Sequence, residues 1–325
     1  MSRSAKKQEE QIRQVQALAF EGIGGDSWAG GDDSTARADL ENLHSRLKSW
    51  AKKYAIEEMS EVRSLAPDEY GSFIQLLTQV VPLHGPGTPN DSGIEHLESG
   101  FMNRKSPVVC IQGLLSHHVY AKVISKPFFA LGDAGEALQN VHRAIRKVNE
   151  TESHIWRSRT LRLLATSSTN VQQQGSDGRH NYIASQKAVC HHFASEFYNG
   201  PAKHLIKSPT REGGNADTQC FNDLESIVQY AGELSYRLWT RRTLMSFMSL
   251  PDLYNQPFRM GSDIMKAHPL HKLYEDDGRC DGWFVGVVAH PAVLAFGSSD
   301  GKDYNSGRVW MQAEVWLTED DGVKK

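Results

Sequence analysis

The stretch from Asp281 to Leu317 constrains this chain most, because helical patterning gives way there to β patterning. The runs Trp283-Phe284-Val285-Gly286-Val287-Val288, Ala292 to Phe296 and Arg308 to Leu317 are β-branched and aromatic, bounded by Gly, Asp and Asn, and read as strands. Gly297 to Gly307 reads as a long hairpin loop. In the last run Val309, Met311, Ala313, Val315 and Leu317 share one face, and Trp310, Gln312, Glu314 and Trp316 share the other. Two tryptophans on the more polar face predict that this face is covered as well, by a helix, the tail or a partner. Trp310 and Trp316 are therefore candidate interaction residues.

Most of what precedes is spaced for helices. Leu40, Leu43, Leu47, Trp50 and Ala51 predict one helix over 39–56. Pro67, followed by Asp68 and Glu69, predicts the start of a second that stops before Pro82. Residues 83–107 read as a loop. Val108 to Ile124 is apolar almost all round and predicts a central buried helix. Asp133 with Glu136 resembles a capping box, and the helix after it carries Leu138, Val141, Ile145 and Val148. Further helices are expected through Ile155–Leu164, over 182–198, and from a cap at Asn222 to about Met248, separated by polar stretches at 167–180 and 208–218.

The fold class that follows is α+β, predominantly α-helical: a helical core with a small C-terminal antiparallel β-sheet. We expect a mobile N-terminal tail over 1–36 containing a short helix at Glu9–Phe20. A single α-rich domain over 37–318 and a disordered C-terminus at 319–325 complete the expected organisation.

The 325 residues are 39 % hydrophobic and 23 % charged, enough for a sizeable core. A net charge of −3 argues against a uniformly basic nucleic-acid binder. Cys110, Cys190, Cys220 and Cys280 are scattered without CxxC spacing, which points to a reducing compartment. No secretory leader and no membrane-length apolar run is visible, so a cytoplasmic or nuclear location is expected.

Chemical motifs are sparse. The pairs His117-His118, His191-His192 and His268/His271 match no metal-ligand template, so no metal or cofactor is expected. Ser116 beside His117, and Ser195 near His191, lie in helical patterns and lack a nucleophile elbow. Gly22-Ile-Gly-Gly25 and Gly213-Gly214 lack the strand and helix context of a phosphate loop. The loop around Asp300 and Asp303 is a poor calcium match. The clearest remaining signal is basic and aromatic: Arg157, Arg159 and Arg162 beside Trp156, and Arg237, Arg241 and Arg242 around Trp239. Such pairs can hold a phosphate and stack a base, although helix-borne charge runs usually face water.

The segments Arg237-Leu-Trp-Thr-Arg241, Gly261-Ser-Asp-Ile-Met265, His268-Pro-Leu-His271, Pro291 to Gly297, Tyr304 and Arg308-Val-Trp310 resemble an uncharacterised family of filamentous-fungal proteins. The resemblance covers the C-terminal third. It implies a fungal, intracellular protein and assigns no catalytic residue. The expected function is that of a non-enzymatic interaction or regulatory protein with a protein partner. A nucleic-acid-associated factor using the Arg/Trp helices is one alternative, and an enzyme with a dispersed active site in specialised metabolism is another.

Overall fold

The computed structural model describes residues 32–82, 105–166, 182–207, 215–274, 277–298 and 301–318. The expected tail helix, Gly22–Gly25, Gly213-Gly214, Asp300, the C-terminus at 319–325 and most of the three polar stretches lie outside them. The described chain is mostly helical, with two three-stranded sheets near its C-terminus.

The long helices are α1 (Asp33–Tyr54), α2 (Pro67–Leu77), α3 (Ser106–Val119), α4 (Asp133–Val148), α5 (Glu150–Thr166), α6 (Tyr182–Asn199) and α7 (Asn215–Trp239). α1 starts six residues before its expected point, because the Asp32 side chain accepts from the Ser34 N–H and caps it. Ser106 and Pro107, read above as loop, form the first turn of α3. α3 is buried along almost its whole length, as its composition predicts, and continues as a π-helical turn over Tyr120–Ile124. Carbonyls of that turn are satisfied from α7. Ser235 Oγ donates to Val123 O at 3.0 Å and Trp239 Nε1 to Ile124 O at 2.6 Å.

Two caps differ from expectation. Asp133 is the first helical residue of α4, not its cap. Gly132, with φ of +55°, takes the cap position, and Asp133 and Glu136 instead place negative charge in the first turn. α7 begins at Asn215, well before Asn222. It also ends at Trp239, and Leu244–Met248, expected to be helical, is strand β1.

The remaining strands are β2 (Met265–Ala267), β3 (Phe284–His290), β4 (Ala292–Phe296), β5 (Gly307–Met311) and β6 (Ala313–Thr318). β3–β4 and β5–β6 form one long antiparallel hairpin that changes sheet halfway. β4 pairs β5 in a sheet ordered β1-β4-β5, while β3 pairs β6 in a sheet ordered β2-β6-β3. The break falls at Pro291, which has no N–H for a ladder, and opposite it near Gln312. The single antiparallel sheet expected from the sequence is therefore two sheets, and β2 joins the second in parallel.

Both faces of the ribbon are covered. Val287, Ala289, Val293, Ala295, Trp310 and Met311 share the main core with the helices. Val285, Val288, Val315 and Leu317 pack into a smaller core with Leu250, Leu253, Phe258 and Cys280.

α3 lies close enough to β3 that a Cβ on Gly113 would stand 2.7 Å from Val288 O. Gly113→Ala should therefore cost about 1–3 kcal/mol by forcing helix and strand apart. Gly71→Ala, in a helix with open space around it, should instead stabilise by about 0.5–1 kcal/mol. Urea midpoints of the two variants check both signs.

Candidate functional site

Strand pairing fixes where the buried charge of this protein lies. β6 turns Glu314 toward the helices, in register with His290 on β3, and leaves it 2 % exposed. Three separate segments supply its partners. From α1, His44 Nε2 lies 3.1 Å from Oε2 and Lys48 Nζ lies 3.1 Å from Oε1. From α3, Gln112 Nε2 donates to Oε1 at 3.1 Å. After β2, His268 Nε2 stands 3.4 Å from Oε1. The Leu270 N–H donates to His268 Nδ1 at 3.2 Å, so Nε2 carries the proton of the neutral ring.

Burial alone would raise the Glu314 carboxyl. The His44 hydrogen bond, with the charges of His44, His268 and Lys48, outweighs it and holds the group far below the usual carboxylate range. A carboxylate with its lone pairs filled and its proton affinity this low is a poor general base at neutral pH. It acts as a tie between elements. Beyond it, His290 packs edge-on to His44 at 4.5 Å and to Tyr120 at 4.9 Å. Tyr120 in turn walls a cavity of about 180 Å³ shared with Phe247, Leu250 and Pro291.

A second buried centre is built around Arg157, which is 0 % exposed. Its Nε donates to Trp239 O at 3.2 Å, and one terminal nitrogen donates to Arg241 O and to Thr243 O at 3.0 Å. The other donates to His154 Nδ1 at 2.9 Å. Ser158 and Arg162 donate to Thr240 O. Of the six arginines expected from sequence, Arg157 and Arg162 converge here, on the last carbonyl of α7 and on carbonyls of the residues just beyond it, where a helix end leaves carbonyls short of donors. Arg157 thus caps α7 at Trp239 and ties the chain that follows to α5.

Arg159 remains exposed on α5. Arg237 pairs with Asp39 at 3.2 Å. Arg241 reaches Asp32 O at 3.1 Å, and the aliphatic stem of Arg242 lies against Gly301.

The two tryptophans are placed differently from a free interaction face. Trp310 is 3 % exposed, with the guanidinium groups of Arg241 and Arg308 stacked over it. Trp316 is half-buried against His271 at 4.2 Å. His271 Nε2 accepts the Leu317 N–H at 2.9 Å. The helices cover this face, as the alternation in β6 predicts.

Among the described residues no group of three or more His, Cys, Asp or Glu side chains is placed to hold a metal ion. All four cysteines are buried thiols. Burial pushes Cys190 and Cys220 each up to about 12, so they are protonated at neutral pH. Ser116 is enclosed within the fold.

α4 is arranged in the opposite sense. It buries Gly135 and His142, with the His142 ring stacked on Trp156 of α5. Its apolar stripe straddles the edge of that face, with Leu138 packed against the main core. Val148 is 89 % exposed and Val141 46 %, with Leu138 and Ile145 half-buried beside them. Spacing alone places the whole stripe in a core, but Leu138 reaches it while Val141 and Val148 stay exposed.

No family model, curated protein or solved structure matches this chain.

Sequence reasoning missed His44, Lys48, Gln112 and His290. A usable signal was present: a carboxylate on a strand face expected to be covered must find donors there.

Two predictions follow from these centres. Glu314→Ala should cost about 3–5 kcal/mol, because it strips the charge partner from a buried network. Lys48→Met should cost less, since the Lys48 side chain is 34 % exposed and its ammonium can be solvated. Denaturant titration at pH 7.5 orders the two.

The second prediction concerns acid. Burial lowers His268 and His142 to about 4, below the 6.5 of an unfolded histidine. The unfolded chain then binds more protons between these values. The stabilisation is thus complete above pH 6.5 and is lost as pH falls toward 4. Each residue should remove about 2–3 kcal/mol between pH 7 and pH 4.5, visible as a falling urea midpoint.

Proposed function

We propose that this chain is a non-enzymatic, intracellular interaction protein with a regulatory or scaffolding role, and that α4 is its contact element. The carrying observation is that Val141 and Val148 of the α4 apolar stripe stand exposed, while Leu138 and Ile145 beside them are half-buried. Exposing Val148 and Val141 to water is unfavourable, and a partner that covers them recovers that free energy. An amphipathic helix presenting such a stripe is a recurrent recognition element.

The buried thiols fit a reducing compartment, and no described helix is long and apolar enough to cross a membrane. The nucleic-acid reading draws less support, because Arg157 and Arg162 direct donors at carbonyls of their own chain. The enzyme reading draws less support from Glu314, whose lone pairs are filled.

A photo-crosslinking residue at Val148 tests the proposal in cells. It should capture a polypeptide, while the same residue at exposed Lys187 on α6 should not. Equal yields at both positions, or none at Val148, would remove α4 as the contact element.

A further inference from the structure

We propose that the cavity beside Tyr120 binds a small uncharged aromatic ligand carrying one hydrogen-bond donor, and that His117 accepts from that donor. The cavity has a volume of about 180 Å³ and no residue of α4 lines it, so the site is separate from the contact element above.

The pair His117-His118 is divided by the helix that carries it. Consecutive residues of a helix point about 100° apart. His118 meets α6, where its Nε2 lies 2.9 Å from Phe193 O. His117 lines the cavity instead, together with Gly113 one turn before it. Beyond His117 the helix passes into the π-helical turn Tyr120–Ile124, closed by the Ser125 N–H donating to Tyr120 O at 2.9 Å. A π-helical turn inside a helix is rare and recurs at functional sites. Tyr120, Ala121 and Ser125 of this stretch border the same cavity.

The walls select the ligand. Phe247, Leu250, Val288 and Pro291 make them largely apolar. The rings of Tyr120 and Phe247 stand edge-to-face at 5.6 Å, an arrangement that a third ring extends. An apolar cavity of about 150 Å³ holds benzene, so this one has room for a single ring with a hydroxyl. No Lys, Arg, Asp or Glu is among the described residues that line it, and a charged ligand would lose its hydration without a counter-ion. Two polar groups remain to receive the ligand. Burial alone lowers the pKa of half-buried His117, with no hydrogen bond contributing, so the ring is neutral at pH 7 and keeps one nitrogen as an acceptor. Tyr120, three residues on, buries a hydroxyl that has no hydrogen-bond partner. The oxygen of a phenol that donates to His117 keeps lone pairs for that hydroxyl. Ser125 Oγ is already spent on Ala121 O, and Ser249 is engaged in the capping box of the short helix Leu250–Leu253.

Ligand-observed NMR of the full chain tests this with three probes: phenol, toluene and benzoate. Phenol should bind with Kd on the order of 0.1–1 mM. Toluene, of the same size without the donor, should bind about fivefold more weakly, the worth of one hydrogen bond. Benzoate should show no saturable binding up to about 10 mM. His117→Leu should bring phenol down to the level of toluene and leave toluene unchanged. Ala121→Leu, which fills the cavity, should abolish binding of both with unchanged circular dichroism. In the wild-type chain the His117 ring resonances should shift on phenol addition and those of exposed His191 should not, a readout that needs no variant to fold.

Phenol that fails to bind below about 10 mM overturns the proposal. So does toluene or benzoate bound as tightly as phenol, phenol affinity unchanged by either substitution, or His117 resonances that stay in place while phenol saturates.

Discussion

The fold depends on one buried carboxylate. An unpaired charge inside a protein is costly enough that the structure must either neutralise it or surround it with donors. Glu314 is surrounded, and its donors come from α1, α3 and the turn after β2. These segments are far apart in sequence. Fixing one carboxylate therefore fixes how the first helix, the central helix and the C-terminal ribbon sit against each other.

Arg157 solves the complementary problem. It is a buried cation met by carbonyls at the end of α7 and by a neutral imidazole. Burial lowers it to about 9, still protonated at neutral pH. The long helix thus ends where a neighbouring helix supplies donors, and the chain released beyond it forms β1 against β4. Both buried centres hold elements in register. Their hydrogen-bonding capacity is directed inward, which moves attention to the surface for function.

On that surface α4 stands apart. The other long apolar stripes, on α1 and α3, enter the main core. α4 instead buries only a glycine and a histidine fully, packs Leu138 against the core and leaves Val141 and Val148 exposed.

The sequence by itself determined the elements whose cause is local. Periodicity placed α1, α3 and α6, alternation placed the ribbon, and Trp310 and Trp316 announced that both its faces would be covered. What escaped it depends on contacts between distant residues. The end of α7 is set by Arg157, about eighty residues earlier. The split of the ribbon into two sheets depends on what lies above and below Pro291 and Gln312. The partners of Glu314 are chosen by packing, and the exposure of Val141 and Val148 by how Gly135 and His142 meet their neighbours. Local preference decides which segments become helix or strand. Only tertiary packing decides which side of each is buried, because burial is a property of neighbours that spacing along one segment does not encode.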